Sequence, residues 1–278
     1  PLNGIEWHGK CVLSENEVDN ISAFLSAQDE WSPKVLKANA DQSFIGSYVL
    51  GMGFTMNEAE AQAFITQDSK NREVLFPYLN GDDLNSDPEQ KPSRWVINFF
   101  DWPLDRDAEG SWATATEKQK KVFLSSGHVP VDYPNRVASD FPEILGIVRE
   151  KVKPERDKLS GNTTAEGRKK KWYLYGRDAK ALYHAIGRGA SFAKHPAGWN
   201  GDTRTTDVLA ITLHTKNFQP CLVSNSAIFS HAMAIFSLSD DLKIAILYSS
   251  IMQSWVWNFG SSIGMGLRFT PSDCYETF

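Results

Sequence analysis

The sequence predicts an α+β fold, with mixed β-sheets, packed helices and two lobes joined by a long helix. Three observations carry this expectation. Short β-favouring runs such as SFIGSYVL and DVLAITLH occur toward both ends of the chain. Capped segments with helical composition are interspersed among them. Between the two regions, Phe141, Ile144, Leu145, Val148 and Val152 recur at the spacing of a helix with one buried face. At 278 residues, 41% apolar and 12% aromatic, the chain can bury a sizeable core. The expected division is a β-rich lobe over 1–140, a connecting helix over 141–160 and a C-terminal lobe over 161–278.

In chain order, IEWHGKCVL (5–13) reads as a strand. Ser14, with Glu17 three residues on, predicts a capping box and a helix to about Ala27. Residues 43–56 are extended, interrupted by glycines at 46, 51 and 53, and Asn57 caps a short helix, NEAEAQAFI. The GMG of this stretch superficially resembles a loop for S-adenosylmethionine or a dinucleotide, but a lone GxG before a helix opening on glutamates argues against that. Val74 to Tyr78 and Arg94 to Phe100 read as strands around a turn holding Asn80, Gly81, Asp82 and Asp83. Those side chains lack the regular ligand positions of a calcium loop, and capping explains them more simply. Residues 106–132 form a polar insertion with Lys118, Lys120 and Lys121 on a short helix. After the connecting helix, RDAKALYHAI predicts a helix ending at Gly187. GASFAK, DVLAITLH, FQPCLV and HAMAIFSL then predict strands. A final helix, capped by Ser239 and running to about Asn258, reads as core through Leu242, Ile246, Ser249 and Trp257.

Charge is unevenly distributed. From Arg149 to Lys216 there are fifteen Lys and Arg against seven Asp and Glu, a balance of +8 in a chain of net −5, so the remainder carries −13. The cationic density peaks at Arg168, Lys169, Lys170 and Lys171, just before Trp172, Tyr173 and Tyr175. A solvated helix face is the plain explanation of such a run. Its contrast with an acidic body instead points to a polyanionic partner, most commonly nucleic acid. For Trp172, Tyr173 and Trp199, core packing outweighs stacking on a displaced base.

Other classes find little support. The longest apolar stretch, AILYSSIMQSWVWNFG, is broken by Ser, Gln and Asn and is too short to cross a bilayer, so no membrane association is expected. Cys11, Cys221 and Cys274 are too far apart for a zinc cluster and odd in number, which points to buried thiols and a cytoplasmic setting. There is no G-x-S-x-G elbow, no H-E-x-x-H and no Walker lysine loop. A start at Pro1 and a stop at Phe278 suggest a piece of a longer protein.

Several ordered blocks carry a family resemblance: GFTM, NREVLFPYLNGDDLN, RWVINFFDWPLD, the YP followed by IVREKVKPERDKL, and RFTPSDCYETF. Together they resemble the target recognition region of MmeI-like type IIL restriction-modification proteins and related phage-defence adenine methyltransferases, from about Ser43 to the end. The resemblance implies a specificity module that follows a class I methyltransferase domain, which binds S-adenosylmethionine and carries the Asn/Asp-Pro-Pro-Tyr/Phe motif. That motif does not occur here, so no cofactor and no catalytic residue are expected in this chain. Two departures stand out. The insertion at 106–132 separates blocks that are usually adjacent, and Met252 occupies a position where relatives commonly carry His.

The expected partners are duplex DNA and the upstream methyltransferase domain of the same polypeptide. Phosphate contacts are expected from Arg168, Lys169, Lys170, Lys171, Arg177, Arg188, Lys194 and Arg204, which orient a duplex without reading it. Base contacts are expected from His214, Lys216, Asn217, Ser224 and Asn225, whose donors and acceptors suit base edges. Within this set HTKNFQPCLV is similar to the family segment that holds variable specificity residues. No metal ligands are expected. The alternative is a protein- or RNA-binding module using 149–216, and a third reading is a hydrolase built on the acidic loop.

Overall fold

The structure is a computed structural model that describes residues 11–13, 16–18, 33–188, 206–264 and 266–278. In order, the elements are β1 (Cys11–Leu13), β2 (Asn16–Val18), β3 (Ser43–Ile45), β4 (Thr55–Met56), α1 (Glu58–Gln67), β5 (Leu75–Leu79), α2 (Gly81–Ser86), β6 (Arg94–Ile97), α3 (Glu117–Ser126), α4 (Pro142–Lys151), α5 (Lys153–Asp157), α6 (Thr163–Lys170) and α7 (Lys180–Ala185). They continue with β7 (Asp207–Thr212), β8 (His214–Thr215), β9 (Cys221–Ser224), β10 (Ile228–Phe229), β11 (Met233–Phe236), α8 (Asp241–Leu247), α9 (Ser250–Phe259), β12 (Ser261–Ile263) and β13 (Gly266–Arg268). The α+β class expected from the sequence is the one observed.

Two four-stranded sheets organise the molecule, in the orders β10-β5-β6-β4 and β3-β11-β7-β9. Each draws strands from both ends of the chain. β10 pairs in parallel with β5, Ile228 opposite Tyr78, and β3 pairs antiparallel with β11, Ile45 opposite Ala234. The central strands of the second sheet, β7 and β11, are buried on both faces. Along β7, Val208 and Ala210 enter the larger core cluster, whereas Leu209 and Ile211 enter a smaller one; along β11, Met233 and Ile235 do the first and Ala234 and Phe236 the second. Because successive side chains of a strand point to opposite faces, a strand between two cores must be apolar at nearly every position. That is why DVLAIT and MAIF read as unbroken apolar runs.

The larger core lies between the two sheets and α4. Trp102 stacks on Phe141 with ring centroids 5.8 Å apart, and the buried Tyr173 hydroxyl donates to the Trp102 carbonyl at 3.1 Å. Trp172 and Tyr173 are therefore core residues. The smaller core gathers Phe218, Phe236, Phe269 and Tyr275 against Met252 and Val256 of α9.

Three expectations need correction. Asn16–Val18 is a strand paired with β1, with Glu17 opposite Val12, so no helix starts at Ser14. The connecting helix is two segments, α4 and α5, broken at Val152. Pro154 lacks the amide proton that would continue the helix, and its ring clashes with the carbonyl one turn back. The final helix is likewise two, α8 capped by Asp240 rather than Ser239, and α9 capped by Ser249. Leu242, Ile246 and Trp257 are 68%, 41% and 48% exposed, so they are not core. The restart at Ser249 turns Met252 and Val256 inward instead.

The other helices follow their caps. Asn57 Oδ1 accepts from the Glu60 amide at 2.8 Å while Glu60 Oε2 accepts from the Asn57 amide at 3.0 Å, closing the capping box of α1. In GMG, Gly51 takes a φ of +138° that favours glycine and Gly53 serves packing: a Cβ there would lie 2.7 Å from Lys151 Cβ, so the turn at 52–54 sits directly on α4.

Candidate nucleic-acid interface

α2 is built by the residues that had suggested a metal loop. Asn80 Oδ1 accepts from the amides of Asp82 and Asp83 at 2.8 and 3.2 Å, and Asp83 Oδ2 accepts from Asn80 Nδ2 at 2.8 Å and from the Ser93 amide at 3.2 Å. With Asp83 committed in this way, the acidic turn is a helix start. The helix packs on β7, where Asn85 Nδ2 donates to Thr212 Oγ1 at 3.4 Å and Gly81 lies against the Thr212 methyl.

Between the end of α2 and the β8 turn lies a cleft of about 950 Å³. Its apolar wall includes Leu84, Ile211 and Leu267, and its polar wall His214, Lys216, Asn217 and Asn85. The turn backbone is tied down. β8 pairs with β13, Thr215 Oγ1 donates to the Asn217 carbonyl at 2.7 Å, and Thr212 Oγ1 donates to the His214 carbonyl at 3.1 Å. The side chains of His214, Lys216 and Asn217 remain exposed. A fixed backbone presenting free polar side chains loses little entropy when it binds.

Two further concavities follow, the first bordered by the start of α2. One, of about 540 Å³, is lined by Tyr48, Tyr78, Asn80, Asp82, Arg94 and His231 among others; the next, of about 390 Å³, shares Tyr48 and His231 and adds Arg168, Gly176 and Arg177. A close approach of two backbones frames them. A Cβ on Gly46 would fall 2.2 Å from the Ser230 carbonyl oxygen, and the Ser47 and His231 amides donate to the Phe229 and Ser47 carbonyls at 2.8 and 2.9 Å. The Tyr48 amide donates to the Arg177 carbonyl at 2.9 Å, which sets Arg177 beside His231. The Tyr48 and His231 rings meet edge-on, 4.4 Å between centroids. Burial first, and the Arg177 charge second, hold the His231 pKa below its ordinary value.

The expected phosphate set divides. Arg168 and Arg177 share one concavity, Lys170 is exposed at the end of α6, and Lys171 caps that helix. Lys169 pairs with Glu166 at 3.6 Å. Lys153, Lys158 and Lys180 of the same basic segment also pair internally, with Asp157, Glu155 and Asp101. Arg188 is turned into the protein: its Nη1 donates to the Asn225 carbonyl at 2.5 Å, and burial lowers its pKa. Lys194, Arg204 and Trp199 lie outside the described residues.

The expected base readers divide as well. His214, Lys216 and Asn217 come together in the 950 Å³ cleft. Ser224 is exposed on β9, bonded to the Ser226 hydroxyl at 2.7 Å, and does not line that cleft. Asn225 is corrected: it is 3% exposed, and its Nδ2 donates to the Ile186 carbonyl at 2.9 Å, so in this structure it is a fold residue. Asn85, Arg94, Tyr48 and His231 were not expected at the site. Each sat in a segment whose composition indicated only a turn or a strand, and the sheet crossing brings them together.

Among the described residues no group of three His, Cys, Asp or Glu side chains could hold a metal ion, and no helix is long and apolar enough to cross a membrane. Cys221 and Cys274 are free thiols, half-buried and buried.

The fold is that of a mixed-sheet module with surface clefts, and a solved structure shares it. The chain is similar to part of the type IIL restriction-modification enzyme MmeI, solved in complex with DNA, with a TM-score of 0.56 and 16% sequence identity over 95% of this chain. The match spans 28% of the MmeI chain. At that identity the likeness is one of fold. No family model and no curated protein matches the chain.

Proposed function

We propose that this chain is the DNA-recognition module of a site-specific adenine methyltransferase of the restriction-modification, phage-defence type, acting in the cytoplasm. The observation that carries the reading is a set of three concavities, two sharing Tyr48 and His231 and two bordered by α2, with Arg168 and Arg177 in one and exposed His214, Lys216 and Asn217 in another. The likeness in fold to part of an enzyme solved with DNA supports it. In this reading Arg168, Lys170, Lys171 and Arg177 hold the phosphate backbone, and the turn at 214–217 reads base edges against Asn85. Lysine suits guanine and asparagine suits adenine. A separate upstream domain binds S-adenosylmethionine, receives the flipped adenine and transfers the methyl group.

Selection from a random duplex pool tests it. The chain should enrich one short motif, and its affinity should fall steeply with salt, as counterion release requires. Binding without an enriched motif and without salt dependence would remove the reading. A second reading, a protein-docking module, is favoured by the exposed apolar Leu242, Ile251 and Trp257 of α8 and α9. It predicts that polar substitutions there abolish partner capture while duplex binding persists.

A further inference from the structure

The smallest of the three concavities, about 390 Å³, is bounded by Tyr48, Arg168, Gly176, Arg177 and His231. It contains two guanidinium groups and no carboxylate. Among the described residues, neither Arg168 nor Arg177 forms an ion pair.

Arg156 on α5, which packs against α6, is only 3% exposed. Its Nη2 donates to the Leu50 and Leu174 carbonyls at 3.0 and 3.4 Å. Its Nη1 and the Nε of Arg168 are buried and have no hydrogen-bond partner among the described residues. Burial first, and the Arg168 charge second, lower the Arg156 pKa. Arginine nonetheless keeps its proton in proteins, so Arg156 is a buried cation within electrostatic reach of Arg168. Folded proteins ordinarily neutralise such a group with a carboxylate. Here carbonyls hold it and the charge is left over.

We propose that Arg168 and Arg177 close on a single tetrahedral oxyanion, with Arg156 as a positioning residue whose like charge repels Arg168 from the protein side. The guanidinium fork matches the paired oxygens of a phosphate. The concavity runs on through Tyr48 and His231 into the next one, which suits a phosphate set in a chain rather than a free ion. The assignment of that phosphate to a duplex backbone rests on the function proposed above; the oxyanion site itself does not.

Two measurements test this on the 278-residue chain. The first is thermal melting in sodium phosphate against sodium chloride of equal ionic strength. Phosphate at about ten times its Kd should raise Tm by about 3 °C more in the chain than in Arg168→Ala or Arg177→Ala. Arg156→Met leaves the Leu50 and Leu174 carbonyls without their donor and should melt lower than the parent without phosphate; measured from its own baseline, it should also lose that excess rise. The second places one neutral methylphosphonate at each position of the selected duplex in turn. One position should weaken binding about tenfold in the chain and leave Arg168→Ala unaffected. A phosphate-specific rise with no such position keeps the oxyanion site and assigns it to a free phosphate. A rise equal in the chain and both arginine variants overturns the site, even if salt-dependent duplex binding persists.

Discussion

Lys216 and Asn217 stand on a turn whose backbone is fixed by Thr212, Thr215 and the β8–β13 pairing, so their side chains can change without moving the chain. If they read bases, Lys216→Ala and Asn217→Ala should each relax one position of the selected motif by about tenfold or more, the value of a good base contact. Thermal stability should stay within about 0.5 kcal/mol, as for other exposed substitutions. Pool sequencing and melting together check both. An unchanged motif would exclude the two side chains from readout. Asn225→Ala should behave oppositely. It leaves the Ile186 carbonyl without its donor, which costs roughly 1–3 kcal/mol in chemical denaturation. Two asparagines eight residues apart thus differ in role because one ends in solvent and the other in the core, a distinction residue type does not encode.

Short elements here depend on single capping or bracing groups. Asn80→Ala removes the acceptor for two amides of α2 and should cost about 1 kcal/mol in urea unfolding. Since α2 walls the cleft that holds His214, Lys216 and Asn217, that loss should come with weaker motif selection. The insertion at 106–132 is braced by Asp132, which accepts from Ser111 Oγ, the Trp112 amide and the Ala113 amide at 2.5, 2.6 and 3.1 Å. The Ser111 bond first, then the two amides, hold its pKa down at about 2. A depressed carboxylate stabilises fully above its unfolded pKa of about 3.9 and loses that contribution as pH falls toward 2. Amide signals of 111–113 should therefore hold to below pH 4 and shift between about pH 4 and 2. Asp132→Asn should remove that titration.

At the scale of the molecule, the acidic body and its basic segment survive only in part as a surface polarity, because many of the segment's cations pair at home. Replacing Lys169, Lys170 and Lys171 with Ala should weaken all duplexes nearly equally. With each contact contributing a slope of about 0.9 and Lys169 already bonded to Glu166, the salt slope should fall by about 2. A loss confined to one sequence would contradict a backbone role. Because both main sheets take strands from both ends of the chain, residues 1–160 and 161–278 produced separately should each lack native near-ultraviolet circular dichroism, and mixing them should be needed to restore it.

From the sequence alone came the α+β class, the caps of α1 and α2, most strands, the core role of Trp172 and Tyr173, and the polar composition of the segment 214–217. These are local matters, set by propensity, side-chain period and hydrogen bonds spanning a few residues. Tertiary structure alone decided which face of α8 and α9 is buried, that Asn225 and Arg188 lock to each other, and that Tyr48, Arg168, Arg177 and His231 meet in one concavity. Those outcomes depend on pairing between segments more than a hundred residues apart, β3 with β11 and β5 with β10, and no short-range pattern specifies which distant strand supplies the partner.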